Sequence, residues 1–279
     1  MTSGGASILS WSSTNATSCT ASGAWSGDKV TSGGTESTGA LTESRSYALT
    51  CSGSGGSASA SVDVTVSGTP PVQPVATYST NFSSTENPIS EGGKWVNGKT
   101  VGLDWNDVQI GAGKAYAAEL IGAVRYDDSI AHLNGPVFAA NQYAQGKVSR
   151  VPDYRNPIDK HEIELLLRFR IDANSARGYE VLWGQDGEIY VVRWNGPLSD
   201  YTSLGGIPAP GPGPAIDGDI LRAEIIGNVI SVYKNGNLVV TATDPDSTWT
   251  DGRPGIGFWP TPGSTLESYG WTNFEAGNL

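Results

Sequence analysis

The sequence predicts an all-β protein built of two units in series, on three observations. The chain holds 37 Gly and 16 Pro, is rich in Ser and Thr, and has one Met, a composition that suits strands and turns and disfavours helices. Apolar and polar residues alternate at period two in run after run, and no segment carries helical periodicity beyond a turn or two. A seam over residues 67–75 contains Pro70, Pro71 and Pro74. Prolines so spaced continue neither a central strand nor a helix, so the seam reads as a short, semi-rigid spacer. Both cysteines precede it and seven of the nine Trp follow it. The expected division is a unit over 1–67, a linker over 68–76 and a unit over 77–279, the last long enough to bury a sizeable core.

In the first unit, Ile8-Leu-Ser-Trp11 alternates as a strand. A second strand surrounds Cys19, after a Ser-Thr-Asn turn. Leu41-Thr-Glu-Ser-Arg-Ser-Tyr47-Ala-Leu-Thr-Cys51 sets a Tyr at the start of a strand, six residues after a Leu. Small and then β-branched residues alternate from Ser57 to Val66, the closing strand. Two cysteines allow one bridge. A Cys19–Cys51 disulfide would stabilise so small a module by roughly 3–4 kcal/mol and implies an oxidising location; the competing reading is a pair of buried thiols. Zinc is disfavoured, because this unit has no His.

The second unit is punctuated by turn signals at Asn97-Gly98, Asp186-Gly187, Asn195-Gly196, Gly227-Asn228 and Asn235-Gly236. In His161-Glu-Ile-Glu-Leu-Leu-Leu-Arg-Phe-Arg-Ile171, strict alternation puts Ile163, Leu165, Leu167, Phe169 and Ile171 on one face. Glu162, Glu164, Arg168 and Arg170 then share the other with Leu166. The stretch from Ile220 to Val240 reads as three strands joined by two tight turns.

The first unit, through Leu-Ser-Trp-Ser-Ser-Thr-Asn-Ala-Thr-Ser-Cys-Thr-Ala-Ser-Gly-Ala-Trp-Ser-Gly and the tyrosine-corner pattern at Tyr47, resembles bacterial and phage immunoglobulin-like modules. That resemblance covers residues 3–66 and implies a spacer. Another strand normally precedes Ser3 in such modules, so the expected edge at Ile8–Trp11 is open to a strand from a neighbouring subunit or from Val72–Val75 of the spacer.

The second unit resembles concanavalin A-like, laminin-G-like jelly rolls. The resemblance rests on Tyr78-Ser-Thr-Asn-Phe82 with Trp95, on the 218–236 hairpin pair, on Asp251-Gly-Arg-Pro-Gly-Ile-Gly-Phe258 and on Trp271-Thr-Asn-Phe-Glu275. It implies two antiparallel sheets, one of them concave, and frequent carbohydrate binding.

The fold class is thus all-β, an immunoglobulin-like sandwich followed by a concanavalin A-like jelly roll, which leaves function to the site. The formal net charge of −11 argues against nucleic acid. No apolar run approaches a membrane span, and no signal peptide is visible. Jelly-roll glucanases carry Glu-x-Asp-x-x-Glu on one strand, which is absent here. Glu162 and Glu164 read instead as a charge ladder with Arg168 and Arg170. The Tyr, His and Arg pattern of jelly-roll lyases is not matched either: Tyr233-Lys234 precedes a turn, and His132 and His161 are single.

The hairpin from Gly178 to Gly196 holds aromatic platforms and planar donors and acceptors, which is what sugars need. The candidate glycan-binding residues are Arg168, Arg170, Glu180, Tyr190, Arg193, Trp194 and Tyr201. Alternation sets Tyr190 and Trp194 opposite Arg193, and which set faces the groove is open, as is a core role for Trp183, Tyr190 or Trp194. Asp244, Asp246 and Asp251, and Asp104, Asn106 and Asp107, are loop oxygens of the kind Ca²⁺ takes; Asp also suits turns for local reasons.

The leading expectation is a non-catalytic, lectin-like protein that binds a polysaccharide or cell-surface glycan, extracellular or on a virion. The alternatives are a jelly-roll glycoside hydrolase or polysaccharide lyase, and a structural virion decoration or filament subunit assembled by β-strand addition.

Overall fold

The computed structural model describes Met1 and residues 5–66, 76–119, 128–151, 161–261 and 265–279. The spacer at 67–75 and the position of any strand before Ser3 lie outside the described residues. The chain divides into two compact units, Met1–Pro74 and Val75–Leu279. Both are all-β, and among the described residues no helix is long and apolar enough to cross a membrane.

The first unit has six strands: β1 Ile8–Trp11, β2 Ser18–Gly23, β3 Gly27–Asp28, β4 Gly34–Ser37, β5 Arg45–Gly53 and β6 Gly56–Val64. β1 pairs with β4 alone, and the second sheet runs β3-β2-β5-β6. Among the described residues the other edge of β1 has no partner strand. Cys19 and Cys51 face each other across β2 and β5 and are joined by a disulfide. Tyr47 is buried on β5, edge-on to Trp25.

The second unit begins with β7 Thr77–Thr80, β8 Trp95–Asn97, β9 Val108–Gly111, β10 Lys114–Ala117 and β11 Ser129–Leu133. β12 Gln142–Arg150, β13 Glu162–Asp172, β14 Ser175–Gly184, β15 Ile189–Gly196 and β16 Tyr201–Ile207 follow. The last are β17 Ile220–Ile226, β18 Val229–Lys234, β19 Asn237–Thr243, β20 Arg253–Trp259 and β21 Tyr269–Asn278. One sheet runs β19-β18-β17-β12-β21-β10-β9 with β7 against β21, and the other runs β16-β15-β14-β13-β20-β11-β8. All these strand pairs are antiparallel, so the unit is a two-sheet sandwich of the jelly-roll kind. Ile163, Leu165, Leu167, Tyr179, Val181 and Trp183 of one sheet share the main core with Leu221, Ala223, Ile225, Trp271 and Phe274 of the other.

Turn chemistry holds at Asn235-Gly236, where both residues have positive φ (52° and 80°), as a two-residue hairpin requires. It fails at two other positions. Asn97 is buried and donates to Ile89 O, and Gly98–Gly102 forms one π-helical turn instead of a hairpin loop. Asn195 and Gly196 end β15, and the chain turns at Pro197–Asp200.

The alternation predicted for β13 also breaks. Arg168 has φ +48°, and the register slips there against both β14 and β20. This is a β-bulge, and beyond it every side chain changes face. Phe169 and Ile171 therefore leave the main core and join Leu166, Trp105, Ile130, Val192 and Trp194 in a second apolar cluster on the outer face of the seven-stranded sheet. Two glycines house the bulge. A Cβ at Gly178 would lie 2.7 Å from Arg168 O, and one at Gly252 2.1 Å from it.

Candidate functional site

The second apolar cluster covers one end of the outer face, where the 98–105 segment packs on β13: a Cβ at Gly102 would lie 2.9 Å from Ile171 Cγ2. The other end is an open groove of about 620 Å³. Glu162 projects there from β13, Glu180 from β14, and Tyr190 and Trp194 from β15, by the period-two rule, and Glu164 is buried on the same face of β13 beside Glu180. Tyr201 of β16 lies beside Trp194, and Trp259 of β20 beside Glu162. Asp128 enters from the start of β11. It is held there because Asn106 N donates to Asp128 O at 2.9 Å and Ile130 N donates to Asn106 O at 3.1 Å.

The aromatic side of the groove is a stack. Trp194 is edge-on to Trp105 with ring centroids 5.9 Å apart, and Tyr201 tilts against Trp194 at 5.6 Å. Trp194 is 5% exposed and Tyr201 is 56% exposed, so Tyr201 presents the free ring face. Trp194 Nε1–H donates to Glu180 Oε2 at 2.7 Å.

The other side is acidic. One carboxylate oxygen each of Asp128, Glu164 and Glu180 lie within 4.8 Å of one another. Glu164 is 1% exposed, and among the described residues neither of its carboxyl oxygens has a hydrogen-bond partner. Gly257, its cross-strand neighbour on β20, makes the room, since a Cβ there would lie 2.0 Å from Glu164 Oε2. Burial pushes Glu180 up to about 7, against the opposing pull of the Trp194 N–H. Burial and the neighbouring carboxylates hold Glu162 and Glu164 well above the usual carboxylate range.

Of the predicted site residues, Glu180, Tyr190, Trp194 and Tyr201 meet in this groove. The three arginines do not. Arg168, turned by the bulge, donates through Nε to Ala140 O (2.7 Å), through Nη1 to Trp249 O (2.8 Å) and through Nη2 to Gly227 O (2.8 Å). It ties three loops together. Arg170 pairs with Asp251 beside a different cavity, lined also by His132 and Phe138. Arg193, on the opposite face of β15, donates to Asp244 at 2.6 Å and Thr248 at 2.7 Å. The charge ladder is thus corrected: Glu162 and Glu164 stand without Arg168 and Arg170.

The predicted calcium ligands are likewise committed elsewhere. Asp244 accepts from Arg193, from Tyr179 OH (2.7 Å) and from Thr248 N (2.9 Å), and Asp246 accepts from Arg193 at 3.2 Å. Asp251 belongs to Arg170. Asp104 accepts from Asn174 Nδ2 at 2.8 Å, and Asp107 from Lys99 N and from Thr100 N and Oγ1. Protein donors thus engage at least one oxygen of each of these carboxylates as turn and loop ties.

A lyase set does not assemble among the described residues. His132 is buried, and Lys234 lies on the other sheet, paired with Asp219 at 3.1 Å. Asp128, Glu162, Glu164, Glu188 and Trp259 also line or floor the groove, and sequence reasoning did not gather them there. The available signal was the two-residue spacing of Glu162 and Glu164.

No protein-family model matches the chain, and no curated protein matches it in sequence. Among solved structures it is similar to a carbohydrate-binding module, CBM66, from Bacillus subtilis, at 13% identity and a TM-score of 0.43 over 68% of this chain and 95% of that one. It is similar to the Ca²⁺/Man3GlcNAc-bound exoplasmic/lumenal domain of VIP36, at 12% identity and a TM-score of 0.46 over 70% and 91%. It is also similar to an endo-β-1,3-glucanase from Pyrococcus furiosus, at 10% identity and a TM-score of 0.41 over 72% and 93%. Likenesses this distant define no family, so function rests on the groove itself.

Proposed function

We propose that the protein is a lectin-like, carbohydrate-binding surface protein whose second unit holds a glycan in this groove. The observation that carries the reading is the juxtaposition of an exposed aromatic face, Tyr201 on Trp194, with the carboxylates of Asp128, Glu162 and Glu180. Sugar rings offer apolar C–H faces to the one and hydroxyl donors to the other. The groove lining carries carboxyls and hydroxyls and no cation among the described residues, which favours neutral glycans over uronates and sulfated chains. The Cys19–Cys51 disulfide supports an oxidising setting, extracellular or on a virion. The test is retention of the chain in gels cast with neutral or anionic polysaccharides, with and without calcium. Retention by a neutral polysaccharide that Tyr201→Ala abolishes supports the reading, and uniform mobility across a broad panel overturns it.

Hydrolysis is the second reading, and the specific observation in its favour is the convergence of Asp128, Glu164 and Glu180. A buried carboxyl pushed up to about 7 suits a general acid. Release of reducing ends from a retained polysaccharide, lost in Glu180→Gln, distinguishes it from binding alone.

A further inference from the structure

We propose that Asp128, Glu164 and Glu180 form a divalent-cation site of calcium type on the floor of the groove. The proposal goes beyond glycan binding and stands on geometry. Three carboxylates from three different strand regions send oxygens to within 4.8 Å of one another. Opposite ligands on one calcium ion lie about 4.6–5.2 Å apart, so a single ion spans this set. The donors are all hard oxygens, with no His nitrogen or Cys sulfur, which favours Ca²⁺ or Mn²⁺ over Zn²⁺.

The second, independent observation is Glu164 itself. A carboxyl 1% exposed, with neither oxygen in a hydrogen bond among the described residues, is a buried polar group without compensation. Cations on the same strand do not supply it, since Arg168 serves three carbonyls and Arg170 serves Asp251. The chain has left space for this carboxylate, because any side chain at Gly257 would collide with it. A cation held between Glu164, Asp128 and Glu180 supplies the partner that Glu164 lacks and favours the ionised form of its carboxyl. Calcium takes six to eight oxygens, so the open side of the groove leaves positions for water or for sugar hydroxyls.

The experiment uses the full chain, stripped with a chelator and titrated with CaCl2 by calorimetry, with Tb³⁺ luminescence excited through tryptophan as a second readout. Trp194 donates to a proposed ligand, so Tb³⁺ in the site should be sensitised and displaced by Ca²⁺. We expect one ion per chain, a higher melting temperature with Ca²⁺, and at least about tenfold weaker binding in Glu164→Gln and in Asp128→Asn. Asp246→Asn, which alters an earlier candidate, should bind like the parent. Glu164→Gln replaces one uncompensated buried polar group with another of the same shape and should melt close to the parent in chelator. If it fails to fold, Asp128→Asn alone decides. No uptake of Ca²⁺ or Mn²⁺ at millimolar concentration overturns the proposal, as does uptake that survives both substitutions. Neither result touches glycan retention in chelator, which tests the groove separately.

Discussion

Trp194 Nε1–H donates to Glu180 Oε2 over 2.7 Å, and both groups are buried. The indole holds the carboxyl in place and carries Tyr201 on its other side. Trp194→Phe should remove the donor and some ring volume. The expected cost is about 2–4 kcal/mol in chemical denaturation. A loss below about 0.5 kcal/mol would mean that Glu180 does not depend on the indole.

Tyr201 has the opposite profile, with half its surface exposed. Tyr201→Ala should cost less than about 1 kcal/mol of stability while abolishing retention in polysaccharide gels. A large loss of stability, or unchanged retention, would show that its ring is not the sugar platform.

The bulge on β13 depends on two glycines with positive φ, Gly178 (136°) and Gly252 (133°). A Cβ at Gly252 would meet Arg168 O at 2.1 Å. Gly252→Ala should destabilise by at least about 2 kcal/mol, through backbone strain and displaced strands. Thermal melting is the check, and a melting point within a degree of the parent's would contradict the account of the bulge.

His132 gives the pH dependence. Burial lowers its pKa from the usual 6.5 to about 4, and its Nδ1 lies 2.7 Å from Leu133 O. The unfolded chain thus binds the proton more readily. The stability from neutral His132 is complete above pH 6.5 and is lost as pH falls from there toward 4. Between pH 7 and pH 4.5 the parent should lose about 2–3 kcal/mol more than His132→Gln. Equal losses in denaturant titrations at the two pH values would count against a buried neutral imidazole.

The strands were legible because their signals are local. Alternation and the Gly227-Asn228 and Asn235-Gly236 turns place β17, β18 and β19 correctly, and they set Tyr190 and Trp194 opposite Arg193. The facing of β13 was not legible beyond Leu167. The bulge at Arg168 needs close approach by Gly178 of β14 and by Gly252 just before β20, both outside β13, and one slipped residue reverses every side chain after it. For the same reason Arg168 looked like a groove residue and is a loop tie. Asp128 reaches the carboxylates only because Asn106, distant in sequence, bridges to its strand. Asn97-Gly98 carries a hairpin signal, yet burial of Asn97 against Ile89 O overrides it.

The central claim is tested most directly by a crystal structure of the full chain with an oligosaccharide from a polysaccharide that retains it. The account predicts a sugar ring against Tyr201, with hydroxyls directed to the carboxylates of Asp128, Glu162 or Glu180. A sugar bound instead in the cavity lined by His132, Phe138 and Arg170, with the Tyr201 groove empty, would contradict it.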